Sequence, residues 1–337
     1  MPVMTVPQAS IAKRAWQRGI RKGRALLLAG AARGMRAVKP GPATEARLLR
    51  WSWVSRDAER LDEYLTIGWQ NPRINVQSIL IRHTLIRRLF GSRFEDQMRA
   101  ELALAVELNE ALRLESVRTG IPVSSFLDAR RQAGIREVER VIAGREHEFE
   151  ERWRATLAGQ TAEPISVLEL ACGSANDYRA FADFGLAPFL DYLGIDLNPK
   201  NIANARRRFP DVRFEVGNAM ATGQADRSFD VVIASDLFEH LPIEVAAQVL
   251  AEASRVARHA VLLSFFNMAE IAADDDRPVA AYHWNRLSRA RYEETLAKDF
   301  PTVAVTPIAA WLKREFGYGH TYNPPAYTMV AERGQLT

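Results

Sequence analysis

The segment Val167-Leu168-Glu169-Leu170-Ala171-Cys172-Gly173-Ser174-Ala175-Asn176-Asp177 sets a carboxylate two residues ahead of a turn built from small side chains. Small residues let a ligand approach the backbone, and a carboxylate there opposes phosphate while suiting a positive centre or an amino group. A second carboxylate, Asp196, ends the run Gly194-Ile195-Asp196-Leu197-Asn198, where it can accept both hydroxyls of a ribose. Dinucleotide and triphosphate ligands do not fit. The pattern G-x-G-x-x-G falls on Ala171, Gly173 and Asn176, or on Gly173, Ala175 and Tyr178, and no G-x-x-x-x-G-K-[ST] loop occurs.

Two histidines are candidate general bases, because imidazole titrates near neutrality. His240 stands beside Glu239, and His283 lies in Tyr282-His283-Trp284-Asn285-Arg286, a stretch with the polar and aromatic make-up of a pocket rim. Each has a plain alternative. Glu239-His240 before Leu241-Pro242 can simply start a helix, and His283 can be an ordinary hydrogen-bonded loop residue. The stretch from Gly317 to Asn323 offers a third part of that rim or a mere connection. Asp274-Asp275-Asp276 has no matching histidine cluster and reads as a solvated loop, so no metal site is expected.

The elements that must carry these residues follow from hydrophobic period. After Gly159, β-rich runs alternate with helix-like stretches: 165–170, 192–196, 212–216, 229–234 and 260–265. Apolar strands alternating with helices indicate a parallel sheet covered on both faces, which binds ligands at its carboxyl edge. Two further strands, 302–306 and 326–331, are expected to pair antiparallel at the end of the sheet, with no capped helix between them. The fold class is thus α/β, a Rossmann-like, seven-stranded, mostly parallel sheet with an antiparallel last strand, preceded by an all-helical N-terminal region.

Residues 169–175 resemble the first motif, D/E-x-G-x-G-x-G, of class I S-adenosylmethionine-dependent methyltransferases, and Asp196 resembles their acidic residue at the end of strand two. Gly217-Asn218-Ala219 is similar to the motif after strand three, and residues 226–241, ending in Leu237-Phe238-Glu239-His240-Leu241, to the fourth-strand motif of the type 11 subgroup. The resemblance spans about residues 160 to 335 and rests on four motifs in order. It implies S-adenosylmethionine as cofactor, held by Glu169, Ala171, Gly173, Asp196, Leu197, Asn218, Ala219 and Ser235, and transfer of its sulfonium methyl. His240 and His283 become the candidate catalytic residues. Two departures stand out: Ala171 and Ala175 replace glycines, and Asn218 replaces a frequent aspartate.

The rest of the chain is helical in pattern. A length of 337 residues suits two modules, and 47% apolar with 26% charged residues excludes a wholly disordered chain. A single cysteine, Cys172, excludes an internal disulfide and multi-cysteine zinc modules, and fits a cytoplasmic location. Residues 1–37 form a basic amphipathic segment, 38–44 a Pro-Gly linker, 45–158 a helical cap or substrate region, and 160–337 the methyltransferase-like domain. Ser92 with Glu95, and Ser125 with Asp128, have the spacing of helix-start capping boxes. Residues 1–50 carry 11 Lys/Arg against Glu45 alone, whereas the whole chain is only +4.

The basic face within residues 11–28 can meet anionic lipid, giving membrane association, or stay in water while the apolar face docks on the protein. The expected acceptor is a small molecule, a sugar or glycan, or a lipid-linked intermediate, with O-methylation favoured. An RNA or protein methyltransferase, or a non-catalytic S-adenosylmethionine-binding protein, is the alternative, although no nucleic-acid module is recognised and the remainder is acidic. A homodimer is compatible with the apolar stripe Ile79, Leu80, Leu85, Ile86, Leu89 and Phe90, for which core packing is the favoured use.

Overall fold

The computed structural model describes residues 71–120, 131–279, 282–321 and 323–334. The basic segment, the 38–44 linker and the Ser125/Asp128 pair lie outside the described residues. Helices come first: α1 (Val76–Phe90), α2 (Glu95–Thr119), α3 (Arg131–Ile142) and α4 (Glu150–Leu157). Strands and helices then alternate through β1 (Ile165–Leu170), α5 (Asn176–Asp183), β2 (Leu190–Asp196), α6 (Pro199–Arg208) and β3 (Arg213–Val216). They continue through β4 (Phe229–Ser235), α7 (Ile243–Val256) and β5 (Ala257–Phe265). Four two-residue strands follow: β6 (Met268–Ala269), β7 (Pro278–Val279), β8 (Tyr282–His283) and β9 (Leu287–Ser288). The described chain ends with α8 (Arg289–Leu296), β10 (Thr302–Pro307), α9 (Ile308–Phe316) and β11 (Tyr327–Glu332).

The main sheet has seven strands in the order β10-β11-β5-β4-β1-β2-β3. β1 runs parallel to β2 and β4, while β11 is antiparallel to both β5 and β10. All seven expected strands are present. Their apolar runs are uninterrupted because both faces are covered. Val167, Val231, Ile233 and Leu262 pack in one core with Ile79, Leu85 and Ile86 of α1 and with α2 and α4. Leu168, Leu170 and Val232 face a second core under α7 and α8.

Two expectations need correction. The 302–331 region does contain a helix, α9, whose end is closed by Gly317 at φ 66° with its N–H bonded to Leu312 and Lys313 carbonyls. Its apolar residues Ile308, Trp311, Leu312 and Phe316 have helical spacing, but Pro307 precedes it and no side chain caps its start, which hides the helix. Ser92 does not cap α2: a short 3₁₀ turn, Gly91–Phe94, leads into it, and Glu95 binds Arg87 instead (Nε–Oε1 2.5 Å). The described helices before residue 158 lie as a layer on one face of the sheet and reach its carboxyl edge through α1. Gln77 Nε2 donates there to the carbonyls of Phe265 and Tyr327, both at 2.9 Å, and Ser78 and Ile81 lie beside Asp177.

A charged network is sealed inside this helical layer. Arg82, 1% exposed, donates to Glu101 (2.5 Å) and to the Pro72 carbonyl (3.0 Å), and its guanidinium stacks 3.7 Å from the Phe184 ring centroid. His83 and the Trp153 indole N–H meet the other Glu101 oxygen, each at 2.7 Å. Burial works against ionised Glu101, yet the Arg82 charge and the His83 hydrogen bond outweigh it and hold the carboxyl at about 2.

Candidate functional site

The small-residue turn after β1 alternates into left-handed backbone at Ala171 (φ 56°), Gly173 (φ 56°) and Ala175 (φ 67°). Such angles are open to glycine and cost an alanine roughly 1–2 kcal/mol. The turn is held over the tip of β2 by the Cys172 N–H, which donates to the Ile195 carbonyl at 2.9 Å. Gly194 makes this approach possible: a Cβ there would sit 2.9 Å from Cys172 Sγ and 2.8 Å from the Phe214 ring.

Asp196 locks the same turn from the side. Its Oδ2 accepts from the Gly173 N–H (3.0 Å), and its Oδ1 from the Asn198 N–H (2.7 Å) and Asn201 Nδ2 (3.1 Å). A carboxylate offers about four acceptor positions, so one remains for a ligand. Leu197, the next residue, is 54% exposed and offers a bare apolar face beside it. Asn218 Oδ1 accepts from the Met220 N–H at 2.9 Å, forming a tight turn, and Asn218, Ala219 and Ser235 are all partly exposed.

Glu169 lies one layer deeper, 3% exposed, with Tyr192 Oη donating to it at 2.5 Å. Two carboxylates that sequence reasoning did not assign join it. Asp177 accepts from Ser235 Oγ at 2.6 Å, and Asp236, in left-handed backbone (φ 49°), accepts from Ser264 Oγ at 3.3 Å. Glu239 completes the series.

Burial raises the pKa of Glu169 and Glu239, and like charge on Asp177 and Asp196, or on Asp236, raises it further. Asp177, Asp196 and Asp236 are also held above their ordinary value by burial, and Asp236 additionally by Asp177. Among the described residues, Arg82 is the cation that acts on this group of acids, through Asp177. The edge therefore favours an incoming positive charge. Among the described residues, no cluster of His, Cys, Asp and Glu has the arrangement of a metal site.

Beyond β4 the structure brings His240 and His283 together, in different roles. Glu239 Oε1 accepts from the N–H groups of Phe266 (2.6 Å) and Asn267 (3.2 Å), while Oε2 is buried without a hydrogen-bond partner. His240 packs against Phe266, Tyr282 and Trp284, with ring centroids 5.1, 5.8 and 5.5 Å away. Its Nδ1 lies 3.2 Å from the His283 carbonyl. A carbonyl only accepts, so Nδ1 carries the proton and Nε2 keeps a lone pair. Burial lowers the His240 pKa, the carbonyl only partly opposing this, so the ring is neutral at neutral pH. The His283 ring instead meets Asp276 at 2.6 Å, and its backbone is what orients His240.

Asn285, wholly buried, ties these loops together. Its Nδ2 donates to the Leu241 carbonyl (2.7 Å), its Oδ1 accepts from the Arg277 N–H (2.9 Å), and its N–H donates to the Glu239 carbonyl (2.8 Å). Its own carbonyl accepts from Asn267 Nδ2 at 2.8 Å. The expected run of three aspartates disperses: Asp274 takes Arg291, Asp275 takes Arg277 and Asp276 takes His283.

Residues 167–260 match the family model described as a methyltransferase domain. A Mycolicibacterium smegmatis protein named a probable S-adenosylmethionine-dependent methyltransferase is 30% identical over 132 residues, 39% of this chain and 49% of its own length. The demethylmenaquinone methyltransferase of Renibacterium salmoninarum is 34% identical over 183 residues, 54% of this chain and 64% of its own length. The chain thus spans about half to two thirds of these relatives. The magnesium protoporphyrin IX methyltransferase of Synechocystis PCC 6803 aligns at 16% identity with a TM-score of 0.37, covering 59% of this chain and 83% of that one.

Proposed function

We propose, from the premise that this chain carries a class I S-adenosylmethionine-dependent methyltransferase domain, that it transfers a methyl group to a hydroxyl of a small-molecule, glycan or lipid-linked acceptor. The observation that carries this reading is the gathering of Glu169, Asp177, Asp196, Asp236 and Glu239 around one strand edge with so little positive charge among them. A nucleoside bearing a sulfonium and an ammonium group satisfies that edge, and the residues present fit it. Asp196 has an acceptor position left for the ribose. Leu197, Asn218 and Ala219 would border the base, and Ala171 with Gly173 presents bare backbone. When bound, S-adenosylmethionine supplies an electrophilic methyl on a cationic sulfur.

The protein's own part is alignment and proton removal. Holding two reactants in near-attack geometry offsets about 7–11 kcal/mol of barrier. His240, neutral and with Nε2 unprotonated, takes the proton of the acceptor hydroxyl, and the His283 carbonyl keeps its ring in that tautomer. No helix among the described residues is long and apolar enough to cross a membrane, so a lipid-linked acceptor would be met at a surface, with residues 11–28 as the contact. Incubation of the full chain with methyl-labelled S-adenosylmethionine and fractionated lipid, glycan, small-molecule and RNA pools tests the reading. Label in the first three pools, lost in His240→Ala with donor affinity intact, supports it. Label in RNA or protein, or donor binding with no transfer to any pool, replaces it.

A further inference from the structure

The carboxyl edge also holds a hollow beyond β5, away from the acids. A cavity of about 460 Å³ is bounded by Asn267, Glu270, Arg277, Arg286, Pro325 and Tyr327, a volume in the range of small-ligand sites. We propose that this cavity is the acceptor subsite and receives an anionic group of the methyl acceptor, a carboxylate or a phosphate, with Arg286 as its principal partner and Arg277 as the second. The assignment rests on the methyltransferase reading above and narrows its substrate class.

The ion pairs around the cavity show which cation stays open to a ligand. Glu270 is paired with Arg289 (2.8 Å), which also binds Glu293, and it accepts from Tyr327 Oη (3.4 Å). Arg277 is shared with the Asp275 carboxylate. Arg286 makes no side-chain hydrogen bond or ion pair among the described residues. Its backbone pairs with that of Asp275, whose N–H donates to the Arg286 carbonyl at 2.9 Å, while the Asp275 carboxylate is taken by Arg277. Arg286 is exposed at the cavity and reaches Asp275 and Tyr327 only through its field, so its planar fork of donors is open to a ligand, the geometry that matches carboxylate and phosphate oxygens.

Position supports the same assignment. Asn267 lines the cavity, and its backbone N–H donates to Glu239, the residue before His240. Arg277 is set in place by its own N–H on Asn285 Oδ1. The cavity and the acid-lined strand edge are thus joined through hydrogen bonds of Glu239, Asn267 and Asn285, so an acceptor anchored by its anionic end can point its reacting end toward His240. A positive donor and a negative acceptor would each be repelled from the other's half of the edge, which fixes their order of placement by charge alone.

The test uses the full chain, with inorganic phosphate and benzoate as probes titrated against sodium chloride at matched ionic strength, and calorimetry plus thermal shift as readouts. The expected result is saturable binding of one or both anions. In Arg286→Gln this binding weakens at least tenfold, while the S-adenosylmethionine dissociation constant stays within twofold. Arg286→Lys, which keeps the charge and loses the fork, should fall between the two. Preference for phosphate points to a phosphorylated acceptor and preference for benzoate to a carboxylated one. Anion binding that survives unchanged in Arg286→Gln, or no binding above the chloride control in the wild type, overturns the proposal. Failure of S-adenosylmethionine to bind the wild type would strike the methyltransferase reading instead and leaves the anion titration to judge this site separately.

Discussion

The helical layer and the sheet edge both bury ionisable groups, and they do so in opposite ways. Glu101 is surrounded by Arg82, His83 and Trp153 and stays ionised, whereas burial raises Glu169, Asp177, Asp196, Asp236 and Glu239, and neighbouring acids raise Glu169, Asp236 and Glu239 further. Desolvation is similar in the two places; the supply of counter-charge differs. A buried acid with its partners in the same chain is holding the fold together. A group of acids without them is incomplete until a ligand arrives.

The largest effect that probes this contrast is expected at Glu101. Glu101→Gln leaves Arg82 buried without its counter-charge and should cost about 3–5 kcal/mol in denaturant unfolding. A loss below about 1 kcal/mol would erase the distinction between the two regions. Asp196→Ala should instead weaken S-adenosylmethionine by about 1.5–3 kcal/mol, roughly the worth of hydrogen bonds to a charged group, with a smaller change in unfolding. Equal losses in binding and stability would make Asp196 a structural residue first.

Proton linkage separates the regions further. The edge acids have folded-state pKa values above the ordinary carboxylate value, so the folded chain binds protons that the unfolded chain has released. Their contribution to stability is present below about pH 4 and is lost as pH rises through the folded values. Glu101, held at about 2, acts the other way: its contribution is present above the ordinary value and lost as pH falls toward 2. A positively charged ligand favours the ionised edge. Its affinity should therefore rise with pH above about 4, with protons released on binding, as calorimetry in buffers of different ionisation enthalpy can measure. Affinity that is flat across that range would deny the edge its electrostatic role.

The smallest effect concerns the turn after β1. Ala171→Gly and Ala175→Gly each relieve a left-handed alanine, offset in part by a more flexible unfolded chain. Each should raise stability by less than about 1 kcal/mol in thermal melts. A destabilised variant would mean that the methyl group, fully buried in Ala175, matters more than the backbone angle.

The strands were legible because a parallel sheet covered on both faces leaves unbroken apolar runs, and Asp196 because a carboxylate at a strand tip is conspicuous. Asp177 and Asp236 were printed in the same motifs yet carried no signal of their own. Their shifts arise only when loops from separate strands converge. Asn285 is similar: its partners Glu239, Leu241, Asn267 and Arg277 are scattered along the chain, so no local spacing announces it. The sequence put His240 ahead of His283, but the hydrogen bond that separates their roles was not legible, because it joins a side chain to a backbone carbonyl 43 residues away.

The amide of Gln77 occupies two strand-end carbonyls, and the apolar side of its helix completes a core begun by β1 and β4. A cut near residue 160 would leave a sheet with one greasy flank open to water. The described helices before residue 158 are therefore masonry of the sheet domain itself rather than an attachment to it.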